Sequence, residues 1–152
     1  MLFFLGLPNE GFRSVKAMDV EESNRDVTNK SGDVIHLSFK ELGIWANSEI
    51  QREDTEGRSG VLKGQFALGK SANTFGLVRF KITCCAADVI PLNVVIISPE
   101  SVADIKPMSW VQVTGQIQYR KRKDREEYVP VLKMHSRNDI LPIPPDDDPY
   151  LQ

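Results

Sequence analysis

Trp110-Val111-Gln112-Val113-Thr114-Gly115-Gln116-Ile117-Gln118-Tyr119 is the stretch on which the fold turns. Val111, Val113, Ile117 and Tyr119 fall on one face and Gln112, Gln116 and Gln118 on the other. A period of two belongs to a half-covered strand; a helix would repeat its apolar positions every three or four residues. Gly115, inside the run, predicts a bend or bulge. Beyond it, Arg120-Lys121-Arg122-Lys123-Asp124-Arg125-Glu126-Glu127 reads as a mixed-charge hairpin loop and Tyr128 to Met134 as the returning strand.

Working back towards the N-terminus, Pro99 to Ile105 predicts a short helix, proline being suited to a first turn, and Leu92 to Ile97, apolar apart from Asn93, is the nearly continuous run of a strand covered on both faces. Leu77 to Cys85 alternates again, with Val78, Phe80, Ile82 and Cys84 on one side and Arg79, Lys81, Thr83 and Cys85 on the other. Gly69 to Asn73 is a turn, and before it Leu62, Phe66 and Leu68 oppose Lys63 and Gln65. Three strands, a short helix and two strands make the element order of an OB-fold-like, five-stranded Greek-key barrel, which closes its edges on itself.

Ahead of the barrel, Ser38 and Glu41 offer a capping box for a helix from about Phe39 to Glu49, with Phe39, Leu42, Trp45 and Ile50 as its packing stripe. The fold expected is therefore mainly β, with an N-terminal helix and a second short helix between strands three and four. Residues 9 to 32 are polar and aperiodic. This divides the chain into an arm or linker over 1–32 and an OB-like domain over 33–152.

Composition excludes several classes of function. Hydrophobic residues at 41% and charged residues at 26% are globular values, which argue against a disordered chain. A net charge of -2 provides no positive field to draw the protein onto nucleic acid or anionic lipid, so nucleic acid is a disfavoured partner. No apolar run reaches the ~18 residues of a membrane-spanning helix, so the chain as given reads as soluble. Leu2 to Leu7 is apolar but lacks the basic start and cleavage site of a signal peptide; it reads as a packing arm or the last turn of a membrane helix.

Candidate chemistry is sparse. The chain has no phosphate-binding glycine loop, dinucleotide fingerprint, nucleophile elbow or zinc-protease motif. Its two histidines, His36 and His135, lie far in sequence from the adjacent pair Cys84-Cys85. On a regular strand neighbouring cysteines point to opposite faces, so a two-thiolate chelate would need a bulge. Cys84 and Cys85 are thus weak metal candidates. Cys85, sharing a face with Arg79 and Lys81, is the better thiolate candidate, with Asp88 three residues on. For nucleic acid, outward Trp110 and the loop Arg120 to Arg125 are the best platform, although Asp124, Glu126 and Glu127 dilute that loop.

The series Arg79-Phe80-Lys81-Ile82-Thr83-Cys84-Cys85-Ala86-Ala87-Asp88, then Pro91, then Trp110-Val111-Gln112-Val113-Thr114-Gly115, then Pro149-Tyr150-Leu151 resembles the C-terminal soluble domain of the YcgQ-like (DUF1980) family. The likeness runs from about Asp33 to Leu151. Members of that family are described as subunits of a two-component membrane permease complex. The resemblance implies a domain carried behind membrane helices, working beside a polytopic permease-like partner and therefore membrane-associated. It marks Arg79, Cys84, Cys85, Asp88 and Trp110 as motif positions. The function expected is a non-enzymatic interaction or regulatory module with no cofactor. The alternatives are a single-stranded nucleic-acid binder and a thiol-based metal-binding protein.

Overall fold

One long strand, Ser59–Ser71, organises the molecule by serving two neighbours in turn. The structure is a computed structural model and describes residues 27–30, 32–82, 89–123, 126–145 and 150–151. In chain order the elements are β1 (Ile35–His36), α1 (Phe39–Ala46), α2 (Glu49–Thr55), β2 (Ser59–Ser71), β3 (Thr74–Ile82), β4 (Val89–Ile97), β5 (Trp110–Lys121), β6 (Tyr128–Lys133), β7 (Ile140–Pro142) and β8 (Tyr150–Leu151). A 3-10 turn spans Arg137–Asp139.

β2 pairs antiparallel with β5 through Ser59–Gln65, and with β3 from Gln65 onwards. β3 pairs antiparallel with β4, β4 parallel with β6, and β6 antiparallel with β5. The circuit β2–β3–β4–β6–β5–β2 closes the sheet into the OB-like barrel that the element order predicts. Three short strands are added outside that circuit: β1 on β2, β7 on β5 and β8 on β3.

The core follows the alternation. Leu62, Phe66, Leu77, Val111, Val113, Ile117, Tyr119 and Leu132 belong to one buried cluster, and the rings of Phe66 and Phe75 stack at 4.9 Å between centroids. Phe39, Leu42 and Ala46 of α1 join that cluster, so the helix seals one end of the barrel. Each large apolar side chain buried this way contributes about 1.5–3 kcal/mol.

The helical region departs from expectation in one respect. Ser38 Oγ accepts the Glu41 N–H at 3.0 Å and starts α1 where predicted, but the helix ends at Ala46. Ser48 starts a second helix by accepting the Gln51 N–H at 3.4 Å. Asn47 and Ser48 compete for local main-chain bonds, which breaks one helix into two. Ile50 consequently leaves the packing stripe and is 79% exposed. Arg52 then ties the pair together by donating to the Ala46 carbonyl at 2.7 Å, a cation on carbonyls left open at a helix end.

Two further expectations are corrected. Pro99–Ile105 folds as turns and forms no helix. Ser98 Oγ bonds both the carbonyl and the N–H of Glu100, and Ser101 Oγ accepts from Ala103 N, so serine side chains divert the main chain. Gly115 makes no bulge, since the β2–β5 register runs unbroken from Ser59–Gln116 to Gln65–Trp110. The glycine is needed for close approach instead, because a Cβ there would lie 2.9 Å from the Lys133 carbonyl oxygen. Leu68 keeps the face of Leu62 and Phe66, lying opposite the buried Phe75, but it is half exposed, just before the β2–β3 register shifts between Leu68 and Ser71.

The outward side of the sheet is also covered. Val95 and Val131, on the side opposite the main core, are 0% exposed and form a second cluster with Val129. Gln116 and Gln118 face outward as the alternation predicts, yet both are buried. Arg120 donates to Gln118 at 3.0 Å, Gln118 donates to Gln116 at 2.8 Å, and Gln116 donates to the Val27 carbonyl at 3.1 Å and to Asn29. A row of glutamines is satisfied by its own neighbours and by the chain entering from Val27, which removes the penalty for burying them. Lys30 extends that attachment through its N–H to the Gly57 carbonyl.

Candidate functional site

The place where β2 exchanges one partner for the other is a seam in the barrel wall. Gln65 is flanked by Val78 of β3 on one side and Trp110 of β5 on the other. Past Val78, β3 continues without β2, and β8 takes the vacated edge by pairing Tyr150 with Phe80 and Leu151 with Lys81. Arg79 is the first residue beyond the split. It shares the alternation of Phe75 and Leu77, whose side chains fill the barrel, but it stands where that interior opens.

The structure brings Arg79 and Trp110 together. The Arg79 guanidinium carbon lies 5.5 Å from the centroid of the Trp110 ring, within range of a cation–π contact. Both residues are half buried. Trp110 is held from two directions. The Ile143 N–H donates to its carbonyl at 3.1 Å, and the loop before it is pinned to β2 through Phe66 N to Ser109 O at 2.8 Å and Met108 N to Phe66 O at 2.7 Å. Met108 adopts φ 68°, a left-handed conformation that disfavours side chains with a Cβ. It still packs against Ala67, Val78 and Phe80 on the outer face, and Gln65 Nε2 donates to its carbonyl at 3.3 Å. Met108 and Gln65 escaped the sequence reading, because a loop methionine and an outward glutamine carry no motif.

Beside Arg79 a cleft of about 250 Å³ opens between β1, the start of α1, and β2. His36, Ser38, Lys63 and Arg79 give it polar walls, and Leu37 and Phe39 contribute apolar ones. Lys63 reads in sequence only as an outward residue of a wet face; the split of β2 from β3 is what gives it a cleft to line.

The remaining sequence candidates separate from this site. Cys84, Cys85 and Asp88 lie outside the described residues, in the connection between β3 and β4. His36 lies on β1, whereas His135 follows β6 and its N–H donates to Asp139 Oδ2 at 2.9 Å. Among the described residues, no three His, Cys, Asp or Glu side chains group so as to hold a metal ion.

The nucleic-acid candidates are likewise divided. Of the 120–125 run, residues 124 and 125 lie outside the described residues. Arg122 pairs with Glu127 at 3.3 Å, and Lys121 lies 3.9 Å from Glu126 and 5.7 Å from the Tyr128 ring. Arg122 and Lys121 thus face the hairpin's own acids and aromatic ring. OB barrels take nucleic acid on the outward face of their second and third strands, here β3 and β4. Val78 and Val95 on that face are 0% exposed and Phe80 is 6% exposed.

A second polar cluster joins α2 to the barrel. The Thr55 and Tyr119 hydroxyls are 2.6 Å apart, and the Tyr119 N–H donates to Glu56 at 3.0 Å. The Arg52 guanidinium lies 4.1 Å from the Tyr128 ring centroid. Burial raises the Tyr119 phenol above its ordinary value of 10.0, the Thr55 hydrogen bond opposes the shift, and the Glu56 charge adds to it. With its hydroxyls bonded to each other, this cluster fastens a helix to the barrel.

The match that decides kinship covers the barrel and its C-terminal strands: a family model described as the DUF1980 C-terminal domain matches residues 60–151. The chain belongs to that family. Searches of curated proteins and of solved structures find no match. The DUF1980 match takes in both halves of the seam, Arg79 on β3 and Trp110 on β5, and ends on β8, which fills the edge beside them. Among the described residues, no helix is long and apolar enough to cross a membrane.

Proposed function

We propose that this DUF1980 domain is a non-enzymatic docking and regulatory module that works beside a polytopic, permease-like membrane partner. The observation that carries the reading is the Arg79–Trp110 pair. Two residue types that dominate binding energy at protein interfaces are brought together by separate strands and kept half exposed. Their positions are fixed before any partner arrives, because Trp110 is bonded through Ile143 and through the Met108 loop to β2. Pre-set side chains lose little freedom on binding, which favours contact over adaptation.

The membrane part of the proposal rests on the family resemblance of the cysteine-bearing run and on kinship with DUF1980. The competing reading, a single-strand binder, would use the outward face of β3 and β4, where Val78, Phe80 and Val95 are buried, and the β5–β6 hairpin, where Arg122 and Lys121 face Glu127 and Glu126. Docking is therefore the better supported of the two.

The test is capture from detergent-solubilised membranes with the natural full-length protein as bait. Recovery of a multi-span partner, reduced by Trp110→Ala and by Arg79→Ala in baits that melt like the parent, is the expected result. Equal recovery by parent and variants, or saturable low-salt binding of a fluorescent oligonucleotide that salt abolishes, would overturn the reading.

A further inference from the structure

We propose that the cleft between β1, α1 and β2 binds a small oxyanion, a carboxylate or phosphate group, on Lys63 and His36. The inference goes beyond the docking reading, since the cleft would take its ligand whether or not a partner sits on the Arg79–Trp110 pair. Three independent observations point the same way.

The first is charge. In a chain with a net charge of -2, the titratable side chains lining this cleft are His36, Lys63 and Arg79, with no carboxylate among them. Among the described residues, neither His36 nor Lys63 has a side-chain hydrogen bond or ion pair, so both are available to a ligand.

The second is the main chain. The Val61 carbonyl accepts the Leu37 N–H at 2.8 Å, so at Val61 the main chain of β2 faces β1. β2 runs against β5 without a register shift from Ser59 to Gln65, so the N–H and C=O of Lys63, two residues on, face that same edge. β1 ends opposite Val61 and β3 begins opposite Gln65. Among the described residues no strand lies opposite Lys63 there, and its amide is turned towards the cleft as a fixed donor.

The third is shape. The cleft has a volume of about 250 Å³, with Phe39 and Leu37 shielding one side. Shielding from water strengthens attraction between an anion and these donors. A phosphate or carboxylate group fits beside the Lys63 amide and ammonium, with the His36 ring on the β1 side and Arg79 on the β3 side. No bond is made or broken.

The test is a ¹⁵N-resolved NMR titration of the whole chain with inorganic phosphate at constant ionic strength. Saturable shifts at His36, Leu37, Val61 and Lys63 are expected. Lys63→Glu should weaken binding at least about tenfold, the scale of a charge-assisted hydrogen bond. Lys63→Gln, which removes charge at an exposed position without reversing it, should weaken it less. Lys133→Glu, at the exposed end of β6, should bind as the parent does. A parallel titration with an N-acetylated, C-amidated triaspartate separates the sources: saturation by phosphate alone assigns the site to phosphate, and saturation by both assigns it to oxyanions including peptide carboxylates. Linear shifts with both probes through the millimolar range, or equal weakening by the Lys63 and Lys133 variants, would overturn the proposal.

Discussion

The outward face of β3, β4 and β6 and the seam where β2 leaves β3 are parts of one barrel, and they have opposite characters. On the first, Val78, Val95 and Val131 are as buried as the barrel's interior. At the second, Arg79 and Trp110 remain half exposed and a polar cleft opens beside them. Related barrels keep their ligands on the face that is apolar and covered here. Contact surface has therefore to be sought where the sheet's own pairing is interrupted.

The sharpest way to break this comparison is to place a charge on the covered face. Val95→Asp is expected to lose at least about 3 kcal/mol of stability in urea unfolding, because a carboxylate without a partner would sit where no solvent reaches. Were that face a free surface, the substitution would cost almost nothing, and the contrast between the two regions would disappear.

Gly115 tests how tightly the sealed part is drawn together. Gly115→Val is expected to destabilise by about 1–3 kcal/mol, since its Cβ would press on the Lys133 main chain, which cannot rotate away as a side chain can. A shift of β6 away from β5, visible as faster amide exchange at Leu132 and Lys133, should accompany the loss.

Much of the barrel was legible in advance for a simple reason. Val111, Val113, Ile117 and Tyr119 alternate without interruption, and a strand paired regularly along its length keeps that alternation in three dimensions. The seam was not legible, because β2 reads identically whether it has one partner or two. Nothing local to Gln65 announces that Val78 and Trp110 will flank it. Burial of Gln116 and Gln118 was hidden for a related reason: their polarity is satisfied by Val27, Asn29 and each other, a non-local arrangement that period counting reads as solvent. Arg79 and Trp110 stood out in sequence through the family resemblance and the outward aromatic, whereas their proximity required the fold.

Tyr119 carries the comparison to the helices. Tyr119→Phe should cost about 1 kcal/mol, the net worth of its bond to Thr55. It should also alter the alkaline limb of stability. The folded phenol titrates above 10.0, so its contribution is complete below pH 10. As pH rises past that point, the unfolded chain releases its proton first and stability falls until the folded phenol also ionises. The phenylalanine variant should show a shallower decline in chemical denaturation between pH 9.5 and 11 than the parent does.

Trp110→Ala should disturb stability least and so isolates the seam. Its ring is half exposed, and its contact with Arg79 is worth only about 0.5–1 kcal/mol at such a site. The main-chain bonds that place residue 110 do not depend on its side chain, so the Met108 loop and the Ile143 contact should persist. A melting temperature within a few degrees of the parent is expected, together with loss of partner capture. A large fall in melting temperature would mean that the seam is packed like the valine face, and that its half-exposed residues hold the barrel shut in place of offering it to a partner.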